Sequence, residues 1–167
     1  MAEADKGVRV WPRAERKELV HAVRTALAAV VSLLIARLCK LPESYWAAIT
    51  TIIILQSTLG AALTISRHRL VGTALGAGMG ALLATYAGSN AAIYGVGILL
   101  CGIVCALFGT ERSAFRYAGI TLSIVLLVVR TAPAWVIALH RFIEISIGIG
   151  IGLLITAAWP EALAAAK

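Results

Sequence analysis

Arg141 and Glu144 lie three residues apart inside an apolar run, Val136–Trp159. An ionisable side chain in such a run is costly and faces a partner or a hydrated cavity. At this spacing the two side chains meet on one helix face. Two chemistries are open to them: a buried ion pair that locks the helix, or an arginine that attracts anions and is tuned by a titratable carboxylate. The 3, 4, 4 spacing of Arg141, Glu144, Gly148 and Gly152 repeats that of Arg69, Gly72, Gly76 and Gly80, which lie 72 residues earlier. Arg24, about one turn into the first apolar run, either snorkels to the membrane surface or draws anions inward. Arg116, with Arg112, is either solvated loop charge or a cytoplasmic anion contact. Tyr45-Trp46 is the candidate for stacking an aromatic substrate, although tryptophans at the ends of apolar runs also anchor at membrane interfaces.

No other reactive constellation stands out. His21, His68 and His140 are scattered, and Cys39, Cys101 and Cys105 form no metal-type cluster with them. No Gly-x-x-x-x-Gly-Lys-Ser/Thr loop for ATP occurs. The reading is therefore a non-enzyme without metal or cofactor.

The elements that position these residues follow from composition. The chain has 167 residues, is 60% hydrophobic and has a mean hydropathy of +0.92. With only 14% charged residues it cannot clothe that apolar sequence in water, so the expected class is an all-α integral membrane protein. The net charge of +7 collects at the ends of apolar runs, which argues for topology signals and anion contacts and against nucleic-acid binding. Residues 1–19 read as a basic cytoplasmic segment, residues 20–159 as a six-span domain and residues 160–167 as a short tail. The first apolar run is too long for the core of a signal peptide and is expected to stay as span 1.

The runs predict six spans of roughly 20 residues each. They are Val20–Leu38, Tyr45–Leu63, Leu70–Tyr86, Ala91–Phe108, Tyr117–Val129 and Val136–Trp159. A turn at Cys39–Ser44, a basic loop at Thr64–Arg69, an uncharged turn at Ala87–Asn90, a charged loop at Gly109–Arg116 and a last connection at Arg130–Trp135 separate them. Placing both termini in the cytoplasm puts 11 of the 15 basic residues inside and 4 outside, in line with the positive-inside rule.

Three spans per half is an odd number, so a repeated half must enter the membrane inverted. The 72-residue offset pairs Tyr45 with Tyr117, and Ala48-Ile49-Thr50 resembles Gly119-Ile120-Thr121 one residue out of register. The expected architecture is thus two inverted three-helix repeats, with the site at their interface. Gly72, Gly76 and Gly80 share a helix face, as do Gly148 and Gly152, and such faces let helices approach closely in lipid.

Tyr45-Trp46-Ala47, Arg69-Leu-Val-Gly72-Thr73 with its following glycines, and Arg141…Glu144…Gly148 resemble the fusaric acid resistance protein-like (FUSC) family. The resemblance covers roughly residues 20–159 and extends to bacterial aromatic acid exporters and the plant aluminium-activated malate transporters. It implies a six-span domain of the bacterial inner membrane that moves small organic anions, aromatic carboxylates in the exporters. The arginines at the span mouths, Arg69 and Arg141, are then the expected anion contacts. Larger members carry two such units or a soluble domain, so a homodimer is the expected assembly here. The competing class is a non-transporting membrane scaffold or assembly subunit, which the glycine faces and basic segment would suit equally.

Overall fold

The structure is a computed structural model that describes residues 13–55, 58–128 and 132–159. Among these residues it is all-helical: α1 (Arg13–Leu38), α2 (Tyr45–Ile54), α3 (Leu59–Tyr86), α4 (Ala91–Leu107), α5 (Arg112–Leu127) and α6 (Ala134–Ala158). The basic residues before Arg13, Arg130 and the tail beyond Trp159 fall outside the described residues.

Six helices are expected and six are found among the described residues, but several boundaries differ: α1, for instance, opens at Arg13 and not at Val20. The run expected as one span over Tyr45–Leu63 is helical only to Ile54. At 10 residues α2 reaches about 15 Å, half of a roughly 30 Å hydrocarbon layer. The expected basic loop at Thr64–Arg69 is helix instead. Thr58 holds an extended N-cap conformation and α3 starts directly after it. From Ala61 to Arg69 there is no Gly or Pro, and Arg and His continue a helix at little cost, so charge alone did not mark a break. Arg69 therefore lies ten residues into α3 rather than at its mouth. Likewise α5 opens at Arg112, five residues before the expected Tyr117.

Two helix pairs form the centre. Gly72 packs on the carbonyl of Ala114, Gly76 on that of Ala118, and Gly80 on Leu122 and Val125, so α3 and α5 run in the same direction. Gly148 packs on the carbonyl of Ala47 and on Thr50, and Gly152 on Ile54, so α2 and α6 also run together. At Gly72, Gly76, Gly80, Gly148 and Gly152 an added Cβ would lie 3.0 Å or less from the neighbouring helix. The partners recur in register. Ala118 lies 71 residues after Ala47 and Val125 lies 71 after Ile54, while the glycines are 72 apart.

α1 and α4 flank this centre. α1 buries Arg24, Ala28, Ser32 and Ala36, one residue per turn, and leaves Leu27, Val30, Val31 and Leu34 exposed. α4 buries Gly97, Cys101 and Cys105 and exposes Val96, Leu99, Ile103 and Leu107. Apolar faces of this extent are what lipid would cover. Glu18–Leu38 and Ala134–Ala158 are each long and apolar enough to cross a bilayer.

Candidate functional site

Arg141 is placed by α6, seven residues from its start, with 2% of its surface exposed. Its Nη2 donates to Glu43 Oε2, and its Nη1 lies 3.5 Å from Glu144 Oε2. The Glu43 backbone N–H in turn donates to Glu144 Oε1 at 3.0 Å. The guanidinium also stacks over the Trp46 ring, 4.5 Å from its centroid. Arg141 is thus held by two carboxylates and an aromatic face, yet its Nε and Nη1 have no hydrogen-bond partner.

Arg69 is 4% exposed and is held differently. Its Nε and Nη2 donate to Thr50 Oγ1 at 3.2 and 3.0 Å, and the Thr50 hydroxyl in turn donates to the Trp46 carbonyl at 2.8 Å. The guanidinium stacks over Tyr117, 4.9 Å from the ring centroid. No carboxylate among the described residues reaches it. The two stacks recur at similar spacings, Arg141 lying 72 residues after Arg69 and Tyr117 lying 71 after Trp46. The contacts therefore match Tyr117 to Trp46 and not to Tyr45, the partner that the sequence offset picked out.

The remaining expected contacts separate from this centre. Arg24 is buried, but its Nη1 donates to the Trp159 carbonyl at 2.6 Å and its Nη2 to the Leu55 carbonyl at 3.4 Å. It binds the C-terminal ends of α6 and α2, where helix dipoles favour a cation. Arg116 is exposed on α5 and lines neither of the two spaces beside the central arginines. Tyr45 is half exposed, tilted 38° to Trp46 with centroids 5.9 Å apart, and does not line the central gap.

Two spaces adjoin the arginines. A cleft of about 320 Å³ is lined by Lys40, Glu43, His140, Arg141 and Glu144, with apolar walls from Pro42, Ile124, Val128 and Ile137. Deeper, a gap of about 10 Å³ is lined by Arg69, Arg141, Trp46, Thr73, Tyr117 and Thr121, among others. Arg141 borders both. The carboxylates line only the cleft, so the gap is bordered by two cations and no anion.

Glu43 and Thr50 were not singled out in the sequence. Glu43 had a signal: it is the one acidic residue between Leu19 and Thr110, and a buried arginine needs such a partner. Thr50 had none beyond its place in Ala48-Ile49-Thr50, because a threonine hydroxyl that bonds its own helix, as this one does at the Trp46 carbonyl, does not signal a second partner.

Comparison with known proteins agrees with this architecture. The chain is 28% identical over 148 residues to the uncharacterized transporter YdhK of Escherichia coli (strain K12), covering 83% of this chain and 22% of that protein. It is 29% identical over 150 residues to the inner membrane protein YeeA of the same strain, covering 86% of this chain and 41% of the relative. It therefore spans well under half the length of either relative. No solved structure matches it. The family model for fusaric acid resistance protein-like proteins matches residues 27–155, which contain α2 to α5 whole, most of α6 and the C-terminal part of α1. The chain belongs to the fusaric acid resistance protein-like family of membrane proteins.

Proposed function

We propose that this chain is the membrane unit of an inner-membrane transporter or channel for small organic anions, aromatic carboxylates among them. The observation that carries the reading is Arg69. A cation buried in a helix bundle with only a hydroxyl and an aromatic face as partners is a standing attraction for an anion. The cleft beside Arg141 supports the same reading. Its volume lies near the lower end of small-molecule sites, and its apolar walls and cationic rim suit a ring bearing a carboxylate. An anion reaching Arg141 must displace Glu43, the half of the carboxylate clamp that is partly open to solvent, at 31%. The narrow gap beyond is then the closed gate between the cleft and Arg69.

The relatives support a transport role at the level of their names, as a transporter and an inner membrane protein. The matching registers of α2 with α5 and of α3 with α6 favour two inverted three-helix repeats. In that arrangement both termini are cytoplasmic, the cleft opens outward, and Arg24 and the ends of α2 and α6 lie on the cytoplasmic side. Efflux of a monovalent carboxylate down a potential negative inside gains about 2.3 kcal/mol per 100 mV, enough to drive it without ATP. A homodimer would supply a second unit.

The test is flux of benzoate from liposomes that contain the pure protein. Arg69→Gln should lower the rate by about tenfold or more, the loss of one charge-assisted contact, while the protein keeps its unfolding midpoint. Unchanged flux in that variant would remove Arg69 from the path. A specific observation favours the second reading, a scaffold: the gap is barely large enough for one water and the glycine faces pack backbone on backbone. Wild-type protein that passes no anion under any imposed potential decides for it.

A further inference from the structure

The gap between the arginines is too small for a carboxylate, yet its lining is one-sided. Besides Arg69, it is bordered by side chains with hydrogen-bond donors that the fold leaves unused. Arg141 Nε, Thr73 Oγ1 and Trp46 Nε1 are buried without a hydrogen-bond partner, and Arg141 Nη1 has only its 3.5 Å ion pair with Glu144. Arg141 and Thr73 are 2% and 1% exposed, so bulk water does not satisfy them. Leaving such groups unpaired costs about 1–3 kcal/mol each, more for a charged one. Three of these four groups can only donate. A water would satisfy them in part, but water brings two protons of its own to a space bordered by two guanidinium groups. A monatomic anion is close to water in size, accepts from every side and carries the charge that Arg69 lacks.

We propose that the gap is a binding site for a single desolvated halide, held between Arg69 and Arg141 with Thr73 and the Trp46 indole. The space of about 10 Å³ is at the lower limit for one water-sized occupant and excludes any polyatomic anion of carboxylate or sulfate size. The carboxylates Glu43 and Glu144 line the cleft and not the gap, whereas Arg141 lines both and its Nε has no hydrogen-bond partner. The ion would also hold α3 and α6 together at the level of the arginines, since each arginine comes from one of them. The proposal does not depend on transport, because a protein that moves nothing can still bind the ion.

Trp46 gives the readout. The other three tryptophans, Trp11, Trp135 and Trp159, are changed to Phe, which leaves Trp46 as the sole indole; the Trp159 contact to Arg24 is through the backbone and survives. Bromide, which is nearer to chloride in size than iodide is, is titrated into the purified full-length protein at constant ionic strength. The expected result is saturable quenching that chloride reverses and sulfate does not. Arg69→Gln should raise the half-saturating bromide concentration by about tenfold or more. Thr73→Val keeps the shape and removes one hydroxyl, and should raise it about fivefold. This second variant retains both charges and serves if Arg69→Gln fails to fold. Quenching that rises linearly without saturation, that sulfate displaces, or that neither variant moves would overturn the site. Benzoate flux measured on the same preparations separates this outcome from a failure of the transport reading.

Discussion

At the residue scale the two central arginines differ in how their charge is met. Arg141 shares Glu43 and Glu144, whereas Arg69 rests on a threonine hydroxyl and a tyrosine ring. Removing one member of a buried ion pair strands the other, at a cost of about 3–5 kcal/mol. Glu144 is 1% exposed and Glu43 is 31% exposed, so the two should not be equal. Glu144→Ala is expected to lower stability by about 3 kcal/mol or more, and Glu43→Ala by clearly less, in denaturant unfolding of the detergent-solubilised protein. Equal losses would show that solvent does not reach the Glu43 side of the clamp. The Arg141–Glu144 contact was legible in the sequence because three residues on a helix fix it. The Glu43 and Thr50 contacts span 98 and 19 residues, and only the packing of separate helices supplies them.

At the element scale the small residues decide how close the helices come. A methyl group at position 76 would meet the Ala118 carbonyl, whereas one at position 78 would meet nothing within 4 Å. Gly76→Ala is therefore expected to destabilise the protein by about 1–3 kcal/mol, the cost of overpacking. Gly78→Ala should be neutral or stabilising by up to about 1 kcal/mol, through helix propensity. Thermal unfolding of the two variants in one detergent compares them directly, and a Gly76→Ala variant as stable as wild type would mean that the α3–α5 contact is loose. The glycine faces could be read from their four-residue spacing. The end of α2 could not, because Ile52, Ile53 and Ile54 run on into Leu55 with no Gly or Pro, and hydropathy alone continues the span.

At the scale of the whole molecule, α1 and α4 present apolar faces outward while charge is gathered inside or at the ends. The proposed orientation places the α3–α4 turn outside. A Ser89→Cys variant in a cysteine-free background should be labelled by an impermeant maleimide added to intact cells. Labelling only after the cytoplasmic face is opened would invert the whole arrangement, including the direction in which the cleft opens. Helix count and membrane class were legible from apolar runs, which need no tertiary information. The meeting of Arg69 and Arg141 at one gap was not. It depends on α3 beginning at Leu59, which carries Arg69 from the expected mouth of a span to its interior.

The contact registers bear on that asymmetry if the two halves are copies of one segment. With offsets of 72 between α3 and α6 and 71 between α2 and α5, Glu144 corresponds to Gly72 and Glu43 to Ala114. These are the very positions at which the other pair packs glycine against a backbone carbonyl. If one ancestral segment was duplicated, each copy inherited an arginine beside an aromatic ring and then specialised. One descendant recruited acids and quenched its charge; the other kept small residues there and left its charge bare. Ancestral reconstruction would then be expected to converge on a symmetric dimer of half-length chains, bearing two identical arginines and no division of labour between them.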